Sequence, residues 1–261
     1  MKLSSANINV MVKACRKAAK NIIRDFGEIE KLQVSLKGPG DFVTASDKKA
    51  EKILIEELQK ARPRFSILSE EIGQITNDEE FKWIIDPIDG TANFLHGIPH
   101  FAISLGLEHK KEIICGIVFD PIKDEMFLAE KGNGSYLNNQ RMRVSSRTIL
   151  KDCIIFTGGP KRESKDRELS LKEYNNFSSK VLLPIRKLGS ASLDMAYVAA
   201  GRCDGFWQRN LNYWDIAAGI ILVKEAGGFV TDFIGENEYI QNKTILVTNS
   251  KINKEMIEVL K

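Results

Sequence analysis

The chain has 261 residues, 43% of them hydrophobic, and its 38 basic and 35 acidic side chains leave a formal charge of only +3. That is apolar material for one large core or two fused halves, with no low-complexity or collagen-like bias. So small a charge, with Lys48-Lys49, Lys110-Lys111 and the Lys161 to Arg167 stretch scattered among acids, demands no nucleic-acid partner.

Met1 to Lys20 has amphipathic spacing with Lys and Arg interspersed, but neither a continuous apolar core nor a small-residue cleavage signal, so it reads as neither signal peptide nor membrane anchor. No later segment approaches an uninterrupted membrane span. Cys15, Cys115, Cys153 and Cys203 are far apart and form no C-x-x-C, which predicts buried thiols in a reducing compartment. The expectation is a cytoplasmic protein without a membrane partner.

Val10, Ala14, Ala18, Ile22 and Phe26 recur at helical spacing and Gly27 stands where a helix should stop, predicting a long first helix. Ser35 to Phe42, with Lys37-Gly38-Pro39-Gly40, reads as a loop. Thr44-Ala45-Ser46-Asp47 then opens a second helix near Ser46 that runs to Ala61, with Ile53, Leu54 and Leu58 as its apolar stripe. Phe65 to Leu68 is a short strand running straight into Ser69-Glu70-Glu71. Strands are predicted next at Lys82 to Asp86, Phe101 to Glu108, Ile113 to Phe119, Glu125 to Glu130 and Gly134 to Leu137, with turn residues between them. These compose a mostly antiparallel sheet flanked by helices.

After Val144 the texture changes. Ile154 to Phe156 reads as a strand, Glu163 to Ser179 as a polar helix, Pro184 to Leu188 as a strand and Ser190 to Ala200 as a small-residue helix. The strand Gly205 to Gln208 follows, and Tyr213-Trp214-Asp215 opens an Ala/Gly-rich helix that continues through Glu225. Phe229 to Thr231, Thr244 to Val247 and a last helix from Asn253 complete the chain. Residues 1–144 thus read as an α+β half and 145–261 as an α/β half, and the absence of a Pro/Ser linker predicts one compact unit.

The chemistry starts at Trp83 to Phe94. Ile84 and Ile85 suit a buried strand, and the turn at Pro87 lets Asp86 and Asp89 converge at its end with the Ile88 carbonyl between them, three hard oxygen donors of the kind Mg2+ takes. Gly90 permits close backbone approach and Thr91 can cap a helix beginning near Ala92, so free N–H groups would face a phosphate. A bare D-x-x-D-G-T is equally an ordinary turn with two solvated aspartates. Asp47, Glu70 and Asp215 share the same context, at strand ends or first helical turns. Asp215 precedes a helix that looks buried, where metal coordination or N-capping would each satisfy it. Glu70 and Glu71 can reach different partners, and strand parity does not say which points inward. Asp47 also suits the first turn of its helix as an ordinary acid.

Asp41 to Asp47, Leu68 to Glu71, Trp83 to Phe94, Gly132 to Ser145 with Asn138-Asn139-Gln140, Gly189-Ser190-Ala191, and Trp214 to Gly219 with Glu225 to Gly228 together resemble the inositol monophosphatase family, nearly end to end. These are Mg2+-dependent, lithium-sensitive phosphomonoesterases. The resemblance implies an α+β fold built as a layered αβαβα sandwich, usually a homodimer. It implies one metal held by Glu70, Asp86 and the Ile88 carbonyl, a second held by Asp86, Asp89 and Asp215, and in some members a third, weaker ion near Glu70. No Cys-x5-Arg loop or D-x-D-x-T start is present, and His96, His100 and His109 read as loop or surface residues. The expected nucleophile is therefore a metal-activated water, without a covalent enzyme intermediate, and the resemblance implies that Thr91 with Asp47 orients it and accepts its proton.

On the same resemblance a small phosphorylated polyol or sugar would meet Asp89, Gly90 and Thr91, then Gly189, Ser190, Ala191, Gln208 and Asp215. Many inositol-type relatives carry Glu where Gln208 stands, seven residues before Asp215. An amide still offers a donor and an acceptor to hydroxyls. Arg209 beside it suits a second anionic group, or faces solvent or a dimer partner. The leading expectation is an inositol-1-monophosphatase; fructose 1,6-bisphosphate, histidinol phosphate and 3′-phosphoadenosine nucleotides are substrates of the same scaffold. A reading of another class is a non-catalytic protein associated with RNA or RNA polymerase, for which the sequence offers no basic-aromatic stripe.

Overall fold

The computed structural model describes residues 5–28, 34–38, 41–159 and 165–261. The Ser5 hydroxyl accepts the Ile8 amide and starts α1 (Ala6–Phe26), whose Met11, Ala14, Cys15, Ala18 and Ile22 form one buried face. The stretch from Ser35 to Phe42, read as a loop, falls instead in β1 (Val34–Gly38) and β2 (Asp41–Thr44), which pair antiparallel. Pro39 and Gly40 of that predicted loop lie outside the described residues. Thr44 then caps α2 (Ala45–Ala61) in a capping box, its hydroxyl taking the Ser46 and Asp47 amides while Asp47 Oδ2 accepts the Thr44 amide at 2.8 Å.

The first sheet holds β3 (Phe65–Ser69), β4 (Gly73–Ile75), β5 (Asp78–Asp89), β6 (Ala102–His109), β7 (Glu112–Asp120), β8 (Glu125–Glu130), β9 (Gly134–Leu137) and β10 (Gln140–Arg141). Their order is β10-β9-β8-β7-β6-β5-β3-β4, antiparallel throughout except for the pair β3/β5. The ladder from β5 to β6 shifts register between Asp86 and Asp89, where Pro87 has no N–H to donate. A short helix, α3 (Thr91–Leu95), follows directly.

In the second sheet β11 (Ile155–Thr157), β12 (Gly205–Arg209), β13 (Phe229–Thr231) and β14 (Thr244–Thr248) lie in the order β11-β12-β14-β13. Four helices accompany it: α4 (Arg167–Ser178), α5 (Ala191–Ala199), α6 (Tyr213–Glu225) and α7 (Asn253–Leu260). Glu163 and Ser164 of the predicted polar helix lie outside the described residues. Pro184 to Leu188 is not a strand: it touches β11 through a single bridge, Phe156 to Arg186.

Three buried clusters define the layers. Met11 and Leu54 of α1 and α2 pack on Trp83, Ile85, Leu105 and Ile117 of one face of the first sheet. Ile84, Val118 and Phe127 of the opposite face meet Met195 and Ile220 of α5 and α6, which in turn cover Phe206 and Val247 of the second sheet. Phe177 and Met256 of α4 and α7 close the far side over Trp207 and Leu246. Ile84 and Ile85 thus feed different cores, as alternation along a strand requires. Truncating a fully buried leucine such as Leu54 in such a core costs about 2–5 kcal/mol. The result is the αβαβα sandwich of the α+β class. Between its sheets, α6 lies unusually close to the strands: a Cβ on Gly116 would come within 2.6 Å of Ile221 Cγ2 and 2.7 Å of the Ala218 carbonyl oxygen. Among the described residues no helix is long and apolar enough to cross a membrane.

Candidate active site

Because β3 and β5 run parallel, with Ser69 opposite Ile85, Glu70 emerges beside Asp86 at one edge of the sheet. The Glu70 amide donates to the Ile85 carbonyl at 3.2 Å, which fixes that turn to the strand. Asp86 is 2% exposed, and burial raises its pKa well above the ordinary carboxylate value. The carboxylates of Glu70, Asp89 and Asp215 raise it further. Four acids from two strand ends and the start of α6 therefore share one electrostatic environment. Asp215 keeps a structural task as well, since its Oδ2 accepts the Asn212 amide at 2.7 Å and closes a capping box. Among the described residues no three Asp, Glu, His or Cys side chains close into a ready cation cage; protein donors orient Asp89 and Asp215 instead.

Asp89 is the most tightly oriented of the four. Its Oδ2 accepts the Ser190 hydroxyl at 2.6 Å, the Ser192 amide at 2.7 Å and the Ser192 hydroxyl at 2.5 Å. Burial pushes its pKa up, and those bonds offset only part of the rise.

Asp47, fully buried in the first turn of α2, faces Thr91 across the site. The Thr91 hydroxyl lies 3.3 Å from Asp47 Oδ1 and 3.0 Å from the Ile88 carbonyl oxygen. Its one proton serves a single acceptor at a time. Burial pushes the Asp47 carboxyl up to about 6, against the Thr44 hydrogen bonds that pull it down and with Glu71 and Glu70 adding to the rise. Thr91 is not the cap of α3. Gly90 occupies the cap position at φ +99°, where a Cβ would crowd the carbonyl oxygens of Gly189 and His100 at 3.2 Å, and Thr91 is the first helical residue.

The second half supplies the opposite wall. Ser190 starts α5 and reaches Asp89, while Asn93 Nδ2 donates to the His100 and Leu188 carbonyls, both at 2.7 Å, and ties α3 to the segment before Gly189. Gln208, at the end of β12, lays its amide over Gly158, where an added Cβ would sit 2.0 Å from Oε1. It borders a cleft shared with Thr157, Gly159, Lys187 and Arg209. Arg209 is engaged within the chain: its Nε donates to Glu173 at 2.6 Å and its guanidinium lies 4.8 Å from the Phe233 ring centre.

Residues 5–260 match the inositol monophosphatase family. The chain belongs to the inositol monophosphatase family. An inositol-1-monophosphatase of Rhizobium meliloti is 50% identical over 98% of this chain and 96% of its own length. A Pseudomonas aeruginosa protein named Nus factor SuhB is 40% identical over 97% of this chain and 95% of its own. The crystal structure of the extragenic suppressor protein suhB from Bartonella henselae superposes with a TM-score of 0.95 at 50% identity, covering 98% of this chain and 99% of that one. Membership of the inositol monophosphatase family makes the chain a phosphoric monoester hydrolase by class.

Three residues of this inositol monophosphatase-family site escape a reading of the sequence. Ser192 sits in a small-residue helix start that reads as packing, yet it holds Asp89. Glu51 is hidden among the charges of α2, although its place four residues after Asp47 is a signal that both acids share a helix face. Asp194 is fully buried in α5, and neither of its carboxylate oxygens has a hydrogen-bond partner among the described residues.

Proposed function

We propose that the protein is a Mg2+-dependent phosphomonoesterase of the inositol-1-monophosphatase type. The observation that supports this reading is the convergence of Glu70, Asp86, Asp89 and Asp215, in which a buried Asp86 meets the fields of three more acids. Hard oxygen donors whose repulsion and desolvation a divalent cation offsets are a fitting set for Mg2+. Glu70, Asp86 and the Ile88 carbonyl would hold one ion, Asp86, Asp89 and Asp215 a second, and the surroundings of Glu70 a third, weaker one. Mg2+ bound there supplies Lewis acidity, making water a stronger acid and offsetting phosphoryl and alkoxide charge.

The chain's own residues do the rest. Thr91 takes a proton from the attacking water as its hydroxyl passes one to Asp47 Oδ1, 3.3 Å away. An Asp47 carboxyl near 6 is ionised at neutral pH and ready to accept it. Gly90, lacking a side chain, lets the phosphoryl group approach the backbone before Thr91. Ser190 and Ser192 keep Asp89 in one orientation. On the alcohol side Gly189, Ser190, Ala191 and Gln208 line the pocket, and the Gln208 amide gives hydroxyls both a donor and an acceptor. The pairing of Arg209 with Glu173 takes away the readiest receptor for a second anionic group, which favours a polyol monophosphate over a bisphosphate. The enzyme acts as a cytoplasmic homodimer in this reading.

A phosphate-release panel over inositol 1-phosphate, fructose 1,6-bisphosphate, histidinol phosphate and a 3′-phosphoadenosine nucleotide, with Mg2+ and with or without Li+, tests it. Inositol 1-phosphate is expected to be preferred and Li+ to inhibit. Asp89→Asn is expected to abolish release while the fold persists; retention of most activity sinks the two-ion assignment. The Nus-factor name of one relative favours a second reading, a non-catalytic binding role. Absence of hydrolysis across the panel, together with no Mg2+ binding by calorimetry, would select that reading.

A further inference from the structure

Glu51 is an acid the mechanism above does not use, and it is only 2% exposed on α2. Its Oε1 accepts the Glu71 amide at 3.0 Å, the Ile72 amide at 3.3 Å and the Ser69 hydroxyl. These donors bracket Glu70 in sequence. Since the Glu70 amide already donates to Ile85, each backbone amide from Glu70 to Ile72 has an acceptor, and two of the three use the same Glu51 oxygen. The spacing of four residues places Asp47 and Glu51 one above the other on α2. Asp47 reaches Thr91; Glu51 reaches the Glu70 turn.

We propose that Glu51 is a positioning residue, and that α2 acts as one rigid bar setting both the proton acceptor and the turn that presents Glu70. The inference rests on the two-ion assignment. What the turn needs from position 51 is an acceptor oxygen at the right reach and not a negative charge. Gln presents the same Oε1, whereas Asp keeps the charge but falls one methylene short.

Mg2+ affinity by calorimetry, kcat and KM, and hydrogen exchange of the Glu71 and Ile72 amides are compared in wild type, Glu51→Gln and Glu51→Asp. Glu51→Gln is expected to stay near wild type in all of them. Glu51→Asp is expected to weaken Mg2+ binding by about 10–100-fold, the usual loss when a group supporting a metal ligand is removed, and to speed exchange of both amides. Ser69→Ala, which deletes one donor and no charge, moves Mg2+ affinity the same way by less and serves if Glu51→Asp does not fold. Affinity retained in Glu51→Asp but lost in Glu51→Gln makes the role electrostatic and overturns the proposal. Unchanged affinity in Glu51→Asp, or in Ser69→Ala where that variant stands in, overturns it also. A wild type that neither binds Mg2+ nor releases phosphate removes the two-ion assignment itself, and this inference with it.

Discussion

Ser192 donates twice to one oxygen of Asp89, through its amide at 2.7 Å and its hydroxyl at 2.5 Å. Asp89 ends a strand of the first sheet and Ser192 lies in the first turn of a helix between the sheets, so the pair fastens β5 to α5. Ser192→Ala keeps the amide bond and deletes the hydroxyl. It is expected to fold normally and to lower Mg2+ affinity or kcat by about 10-fold, the lower end of what lost support for a ligand costs. Calorimetry with Mg2+ and steady-state kinetics check it.

The pH profile should carry the signature of Asp47. With its carboxyl pushed up to about 6, chiefly by burial, the accepting form fills in as pH rises through 6, so the rate climbs there and then levels. Stability runs the other way. The folded value lies above the unfolded one of about 3.9, so the folded state holds this proton more tightly. The contribution is whole below the unfolded value and is lost as pH climbs through about 6. Asp47→Asn is expected to erase the acid limb and cut kcat by about 100-fold or more. An acid limb that survives the substitution would assign the titration to another group.

Gly90 sits at φ +99° with backbone oxygens 3.2 Å from where a Cβ would stand. Gly90→Ala therefore strains the turn by about 1–3 kcal/mol. In a chain of this size each kcal/mol moves the melting temperature by about 2–4 °C. A thermal melt reads the loss, and phosphate release should fall with it, because the displaced backbone lies beside Thr91.

Asp194 is buried with no hydrogen-bond partner for either carboxylate oxygen among the described residues, and desolvation, then the nearby Asp89, lifts its pKa well above the ordinary value. A raised carboxyl favours the folded state at low pH and burdens it as pH rises. Asp194→Asn removes the charge at nearly constant shape. It is expected to raise the melting temperature by about 2–4 °C, equivalent to roughly 1 kcal/mol, with the larger gain at pH 8 than at pH 5. An equal or opposite shift at the two pH values contradicts a buried acid that resists ionising.

Much of this was legible along the chain. Apolar alternation ending in carboxylates located β5, the Gly189-Ser190 start located α5, and Tyr213-Trp214-Asp215 before an Ala/Gly-rich run located α6. The misses have local and non-local causes. Val34–Gly38 and Asp41–Thr44 pair as strands on either side of the Gly-Pro-Gly signal that suggested a loop, and Pro184 to Leu188 is apolar enough for a strand but makes only one bridge. Thr91 reads as a cap until the φ of Gly90 is known. Glu51 and Ser192 act on residues about 20 and 103 positions away, and no local pattern carries such a pairing.

The bare patch at Gly116 has a consequence for how such an enzyme can diversify. The backbone of α6 comes down onto β6 and β7 there, and Asp215 rides in the first turn of that helix. Gly116 thus works as a depth stop. A methyl group at that position would lift the helix and shift the Asp215 carboxylate relative to Asp86. In the proposed reading substrate preference belongs to the Gln208 side, whereas the reach of Asp215 toward Asp86 is set by a side chain that is not there.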